Sequence, residues 1–155
     1  MTPGINQAKK AKVAYTIHEY EHDASSQSYG LEAAEKLNLP TKQVFKTLVA
    51  KLDGANLVVA ILPVDSMLSM KSLAKACGGK KAEMADKQEV QRSTGYVLGG
   101  VSPLGQKKAL KTVIDESAKH FTTIFVSAGR RGLEIELSAA DLQSLTRATF
   151  SAISQ

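Results

Sequence analysis

Apolar and polar positions alternate along this chain in two rhythms, and the change of rhythm marks the elements. Val13, Tyr15 and Ile17 alternate with smaller or polar residues, which predicts a strand over residues 13–20. Residues 22–28 are polar and read as a loop. Leu31, Ala34 and Leu37 recur at helical spacing, so residues 31–37 read as a helix with these three on one face, ended by Pro40. Residues 43–52 and 56–62 are both rich in β-formers and flank Asp53-Gly54, the signature of a hairpin. Further strands are expected at 112–114, 122–126 and 133–137, the last two joined by a turn over 129–132, with a shorter one at 81–84.

Capping residues place the other helices. Thr2 with Pro3 starts a helix running to about Lys12. Residues 69–77 form a short helix closed by Gly78-Gly79. Asp86 caps another that stops before Gly95, and Ser138 with Asp141 opens the last. Residues 95–105 hold four of the eleven glycines and Pro103, which predicts a structured loop with special backbone angles. Irregularly interleaved helices and strands with two antiparallel hairpins point to an α+β fold with a mixed sheet, not a doubly wound α/β fold.

At 155 residues the chain amounts to one domain, 1–155, large enough for one real core. The longest apolar run, residues 57–64, is far short of the ~20 residues that span a bilayer. No apolar segment follows Lys9, Lys10 and Lys12, so no signal peptide is expected, and a cytoplasmic location is. One cysteine, Cys77, excludes an internal disulfide and a cysteine-based zinc cage; it reads as a core residue. The net charge of +5 and pI near 9.3 suit an anionic partner such as RNA. Basic residues cluster at Lys80-Lys81, at Lys107-Lys108 with Lys111, and at Arg130-Arg131. With four Tyr, four Phe and no Trp, contact with nucleic acid is expected through phosphates more than through base stacking.

Two familiar motifs fail. His18-Glu19-Tyr20-Glu21-His22 matches the zinc-protease pattern, but it sits on a predicted strand, where residues four apart lie ~13 Å from each other. The spacing of Gly100 to Gly105 imitates a phosphate loop, yet Gln106 stands where the lysine belongs. No protein nucleophile, metal site or cofactor site is expected. Two segments resist a bland reading. Lys46 interrupts the apolar strand Phe45-Lys46-Thr47-Leu48, pointing away from Phe45 and Thr47. The run from Arg92 to Gly105 sets glycines among Ser, Thr and Pro, a composition suited to presenting backbone amides to a ligand.

At these residues the chain resembles the YbaK family of aminoacyl-tRNA deacylases. The resemblance rests on Met1-Thr2-Pro3, His18 to Asp23, Phe45 to Leu48, Glu83 to Asp86, Arg92 to Lys108 and Val126 to Leu133, nearly the whole chain in one order. It implies a mixed, mostly antiparallel sheet of six or seven strands curled toward a barrel, with helices outside. It implies trans-editing: hydrolysis of Cys-tRNA(Pro), and of Cys-tRNA(Cys), with the substrate's own thiol as nucleophile, without cofactor or metal. tRNA is then the substrate, and prolyl-tRNA synthetase a partner in a ternary complex. By position, Lys46 would hold the terminal ribose or phosphate or steady charge at the ester. The Gly99-Gly100 backbone would orient the carbonyl. Tyr20 and Tyr29 would line the pocket beside Ser127, and Glu134 would anchor the site. Lys80, Lys81, Lys107 and Lys108 would track the acceptor stem. Tyr29 replaces the family's usual Phe, Glu134 its usual Asp, and Ala128 to Gly132 its Gly-Gly-Lys-Arg-Gly, which bears on pocket size. Two alternatives stay open: a deacylase for Ala or Ser that uses water or a tRNA hydroxyl, and a non-catalytic module that binds tRNA or a synthetase.

Overall fold

The computed structural model describes residues 1–26 and 28–155; Gln27, within the expected loop, lies outside the described residues. In chain order the helices are α1 (Pro3–Ala11), α2 (Tyr29–Lys36), α3 (Met70–Ala76), α4 (Lys87–Thr94) and α5 (Ala139–Thr146). The strands are β1 (Thr16–Glu19), β2 (Phe45–Leu52), β3 (Asn56–Pro63), β4 (Ala82–Met84), β5 (Lys111–Asp115), β6 (Ile124–Arg130), β7 (Leu133–Leu137) and β8 (Thr149–Ser151). None of these helices is long and apolar enough to cross a membrane.

The fold is α+β with mixed strand pairing. Its described strands divide into two sheets: an antiparallel one ordered β1-β7-β6, and a mixed one ordered β4-β2-β3-β5-β8. Among the described residues the sheets meet through one bridge, between Val44 and Phe125. The resemblance implied one curled sheet of six or seven strands. The eighth strand is β8, whose three residues were too few to read from the sequence. It is held by Asp115, whose buried carboxylate accepts the N–H groups of Ile153 and Ser154 from the chain just beyond β8.

Helix ends follow their capping residues. Thr2, Ser69, Asp86 and Ser138 each accept a first-turn N–H, and Asp86 with Glu89 completes a capping box. Both turn residues of the β2–β3 hairpin take positive φ, Asp53 at 52° and Gly54 at 69°. The Asp53 carboxylate also accepts from the N–H groups of Lys80 and Lys81, which seats β4 beside β2.

Several boundaries differ from expectation for local reasons. β1 is shorter than residues 13–20 because its sole partner, β7, offers it only Leu133 to Glu136. The turn expected over 129–132 is tighter, since β6 continues through a bulge between Ser127 and Arg130. α2 begins at Tyr29 and buries Glu32, Ala33 and Ala34, leaving Leu31 exposed. Its rotation is set by Glu32, whose carboxylate accepts from the Asp23 N–H at 2.8 Å and contacts His22 Nδ1 at 2.6 Å. An apolar periodicity could not foresee a buried ionic anchor.

The largest core cluster lies between the two sheets and under α1 and α5, with Phe45, Ile61, Ile114, Ile124, Ile135 and Leu142 at its centre. A second cluster, including Cys77, packs α3 against the mixed sheet. A third, smaller one joins α2 to Val44, Val64 and Phe125 at the seam between the sheets. The glycine-rich loop is tied down within the first cluster: the buried Tyr96 hydroxyl donates to Leu104 O, and the Gly105 N–H donates to Gln7.

Candidate active site

At the seam between the sheets β2 has an open edge. β4 pairs with it only over Ala50 to Leu52 and β6 meets it only at the Val44–Phe125 bridge, so Lys46 to Leu48 have β3 on one side and no strand on the other. Val44 O and Val49 O serve as acceptors on opposite sides, for Val64 N–H and Ala85 N–H. This alternation turns the N–H and carbonyl of Thr47 toward the open side. A cavity of about 380 Å³ occupies that space. Its walls are β2, the first turn of α2, the loop at Leu98 to Val101, and Ser127 and Glu134 from the antiparallel sheet.

Tyr20, Tyr29, Lys46, Gly99, Ser127 and Glu134 all line this cavity, brought together from separate elements. Gly100 does not line it. Its N–H donates to Val97 O at 3.0 Å, and a side chain there would meet the Arg130 backbone at 2.8 Å, so its role is close packing. Of the two glycines expected to orient the carbonyl, Gly99, at φ 89°, is the one that lines the cavity, and its N–H makes no backbone hydrogen bond among the described residues. Lys80 and Lys81 sit at the far tip of the β2–β3 hairpin, roughly 20 Å along the strand from Lys46. Lys107 folds over Gly95 and Lys108 lines a separate shallow depression, so none of the four lysines reaches the cavity.

Lys46 extends from β2 and donates to Ser66 O at 2.6 Å, which leaves two of its three donors for a ligand. Burial pulls its ammonium below the ordinary lysine value, with Asp65 pulling the other way. Glu134 stands on β7 with Ser127 opposite it on one side and His18 on the other. Its side of the strand faces away from the Leu133–Ile135–Leu137 core, toward the cavity. It is 6% exposed, and burial pushes its carboxyl up to about 8. At neutral pH it therefore carries a proton and can donate. Ser127 accepts the Gly129 N–H at 3.2 Å and so fixes the β6 bulge.

Tyr29 is the gatepost. Its ring lies under the Arg131 guanidinium, 4.0 Å from the ring centroid, and Arg131 donates to Leu98 O at 3.1 Å. Gly99 lets these groups meet, because a side chain there would strike Arg131 and Tyr29. Thr47 is a site residue that the sequence pattern did not single out. The residue lines the cavity, its hydroxyl is buried with no partner among the described residues, and its place beside Lys46 in the Phe45–Leu48 string was the available signal.

The histidines of the zinc-like motif go to different carboxylates, His18 to Glu136 and His22 to Glu32. Among the described residues no three His, Cys, Asp or Glu side chains converge as a metal site. Cys77 lies outside the cavity, at the end of α3, where burial raises its thiol.

Comparison with known proteins gives one picture. The family model for the aminoacyl-tRNA editing domain matches residues 27–145. A protein of Enterococcus faecalis, EbsC, named as a candidate Cys-tRNA(Pro)/Cys-tRNA(Cys) deacylase, is 39% identical over 153 residues, 98% of this chain and 92% of that protein. The multifunctional Ser/Thr-tRNA deacylase ProXp-y of Escherichia coli is 34% identical over 100 residues, 62% of this chain and 60% of that one. The crystal structure of a candidate trans-editing enzyme for prolyl tRNA synthetase superposes with a TM-score of 0.82 at 20% identity, covering 100% of this chain and 99% of that one.

Proposed function

This chain belongs to the aminoacyl-tRNA editing domain family, and on that premise we propose that it is a trans-editing deacylase that removes cysteine from Cys-tRNA(Pro) and Cys-tRNA(Cys). The observation that carries this reading is a cavity lined by Lys46, the buried Glu134 and the backbone of Gly99, but by neither cysteine nor histidine. Such a lining suits a substrate that brings its own nucleophile.

The chemistry follows from the cysteinyl ester. A thiol of ordinary pKa ~8.5 yields thiolate readily near neutral pH. The thiolate sulfur attacks the ester carbonyl carbon of the same residue, and charge builds on the carbonyl oxygen. When that intermediate collapses, the carbon–oxygen bond to the ribose breaks. The ribose oxygen takes a proton, and cysteine leaves as a thiolactone, which water then opens. The protein's work is to hold the reactive rotamer and to stabilise the developing oxyanion. Lys46 and the Gly99 N–H supply the positive side. Glu134, protonated, donates a hydrogen bond without adding a negative charge against the oxyanion. The open edge of β2 at Thr47 binds the amino group, and Tyr20 and Tyr29 close the sides. Prolyl-tRNA synthetase in a ternary complex with the tRNA would supply tRNA identity that a domain of this size reads poorly.

The similarity to a Ser/Thr-tRNA deacylase favours a second reading, in which water attacks and a small hydroxyl or methyl side chain fills the cavity. One experiment separates them. The same tRNA(Pro) is charged with cysteine, serine or alanine and its deacylation followed with wild type and Lys46→Ala. Thiol-assisted cleavage requires fast loss of cysteine only, and at least a ~10²-fold fall in kcat/KM for Lys46→Ala, the scale of removing one oxyanion donor. Equal loss of all three esters replaces this mechanism with attack by water. Loss of none makes the chain a binding module.

A further inference from the structure

On the outer side of Tyr29 and Leu98 the surface opens into a second depression, floored by Val97 and Leu98 and bordered by Lys87, Arg130 and Arg131. It shares Tyr29 and Leu98 with the catalytic cavity, so one wall, the Arg131–Tyr29 stack, separates the two. Val97 is 59% exposed and Leu98 42%, unusual values for neighbouring large apolar residues beside a site. All three cations are exposed, and none takes part in an ion pair among the described residues. No acidic side chain lines the depression. The carboxylates nearest in sequence are otherwise engaged: Asp86 caps α4, and Glu89 pairs with Lys51 at 2.6 Å.

We propose that this groove seats the single-stranded 3′ end of the tRNA, with bases lying on Val97 and Leu98 and phosphates held by Lys87, Arg130 and Arg131. The inference rests on the deacylase reading above and extends it from the amino acid to the nucleotides that carry it. An aminoacyl group in the cavity puts its ribose at the mouth. The strand behind that ribose must leave over a surface continuous with the mouth, and it carries one negative charge per nucleotide. The groove offers that continuity, the complementary charge and an apolar floor for unstacked bases. None of the lysines at 80, 81, 107 and 108 lines this groove. The Arg131–Tyr29 stack then links the two sites: the cation that touches the strand also positions the wall of the amino acid pocket.

The test is direct binding first and kinetics second. An unacylated RNA oligonucleotide ending in CCA is titrated against wild type and the double variant Lys87→Ala/Arg130→Ala at several salt concentrations, with adenosine as the single-nucleoside control. The double variant is expected to bind the oligonucleotide about tenfold more weakly. The slope of log affinity against log salt should fall by roughly 0.7 for each phosphate no longer neutralised. Adenosine binding should not change. In turnover, KM for Cys-tRNA should rise by a similar factor, while the rate on the cysteinyl ester of adenosine stays at the wild-type value. Unchanged oligonucleotide affinity and salt slope overturn the proposal. So does an equal loss on the adenosine ester, because the groove would then only buttress the pocket. So does loss of synthetase binding with RNA binding intact, because the occupant would then be protein. If wild type cleaves neither ester, the deacylase reading fails while the binding experiment still decides the groove.

Discussion

Glu134→Gln isolates the cost of keeping a carboxyl at the base of the cavity. Glu134 is 6% exposed and accepts no hydrogen bond from the described residues, and burial pushes its carboxyl from the ordinary 4.5 up to about 8. Its folded-state value lies above its unfolded one. The stability that belongs to the protonated form is therefore full below about pH 4.5 and is lost as pH rises through about 8. At about 1.4 kcal/mol per pH unit, the whole displacement amounts to at most about 5 kcal/mol. About 4 kcal/mol of that falls between pH 5 and pH 9. Gln keeps the shape and a donor but cannot ionise. The wild type should lose stability relative to Glu134→Gln across that window, and the two should converge near pH 5. At roughly 2–4 °C per kcal/mol for a domain of this size, the gap at pH 9 is on the order of 10 °C in Tm. Thermal melts followed by circular dichroism at half-unit pH steps measure it. Parallel Tm curves for the two proteins would refute the reasoning, because the carboxyl would then be solvated or paired. A wild type that gains on the variant at alkaline pH would show that a cation, with Lys46 the nearest choice, neutralises it.

Two other substitutions test the frame around the site. Gly99→Ala places a side chain 2.5 Å from Arg131 Nε and 2.8 Å from the Tyr29 ring, at a φ of 89° that L residues avoid. It should cost about 1–3 kcal/mol in urea unfolding and raise KM by separating the stacked pair; an unchanged KM would show that the stack does not shape the pocket. Asp115→Ala leaves the N–H groups of Ile153 and Ser154 without their acceptor and should destabilise by about 2–4 kcal/mol in urea unfolding. Burial alone raises the Asp115 carboxyl, but the hydrogen bonds from Ser117, Ile153 and Ser154 outweigh it and hold it below the ordinary value. Its contribution is therefore present above about pH 4 and lost as pH falls further. Asp115→Asn should flatten the acid side of the stability profile, and a profile that matches wild type below pH 4 would contradict this.

Helix starts, the Asp53-Gly54 turn and the strand pairs around it were legible because each is written in a few adjacent residues. Lys46 and the loop that holds Gly99 stood out from their own residues, but Glu134 was reached only through resemblance, since no local pattern says that β2, β7 and a loop share one cavity. What escaped the sequence shares one physical cause. The rotation of α2, the hold on β8 and the gate at Tyr29 each depend on a polar side chain satisfied from far along the chain: Glu32 by His22 and Asp23, Asp115 by Ile153 and Ser154, and Arg131 by Leu98 and the Tyr29 ring. Hydrophobic periodicity carries no information about such partners. Arg130-Arg131 was visible as a basic pair, but its place beside the mouth depends on the bulge that β6 makes after Ser127.

The seam between the sheets explains how a site can form here. A sheet that pairs along its whole length leaves no peptide group to offer, and a closed core leaves no room. β2 stops pairing on one side just where Lys46 and Thr47 fall, and β7 turns Glu134 toward the same gap. The unpaired hydroxyl of Thr47 and the unionised carboxyl of Glu134 are costs to folding that a purely structural seam would have removed by apolar substitution. Both residues line one cavity, beside a half-buried lysine, as expected where stability is given up for binding a polar ligand; the other unpaired buried hydroxyl among the described residues, that of Ser154, lies outside it. On this argument a Thr47→Val, Glu134→Leu double variant should be more stable than wild type at pH 8 and inactive on every aminoacyl ester. A variant that is less stable would place both groups among the residues that hold the fold.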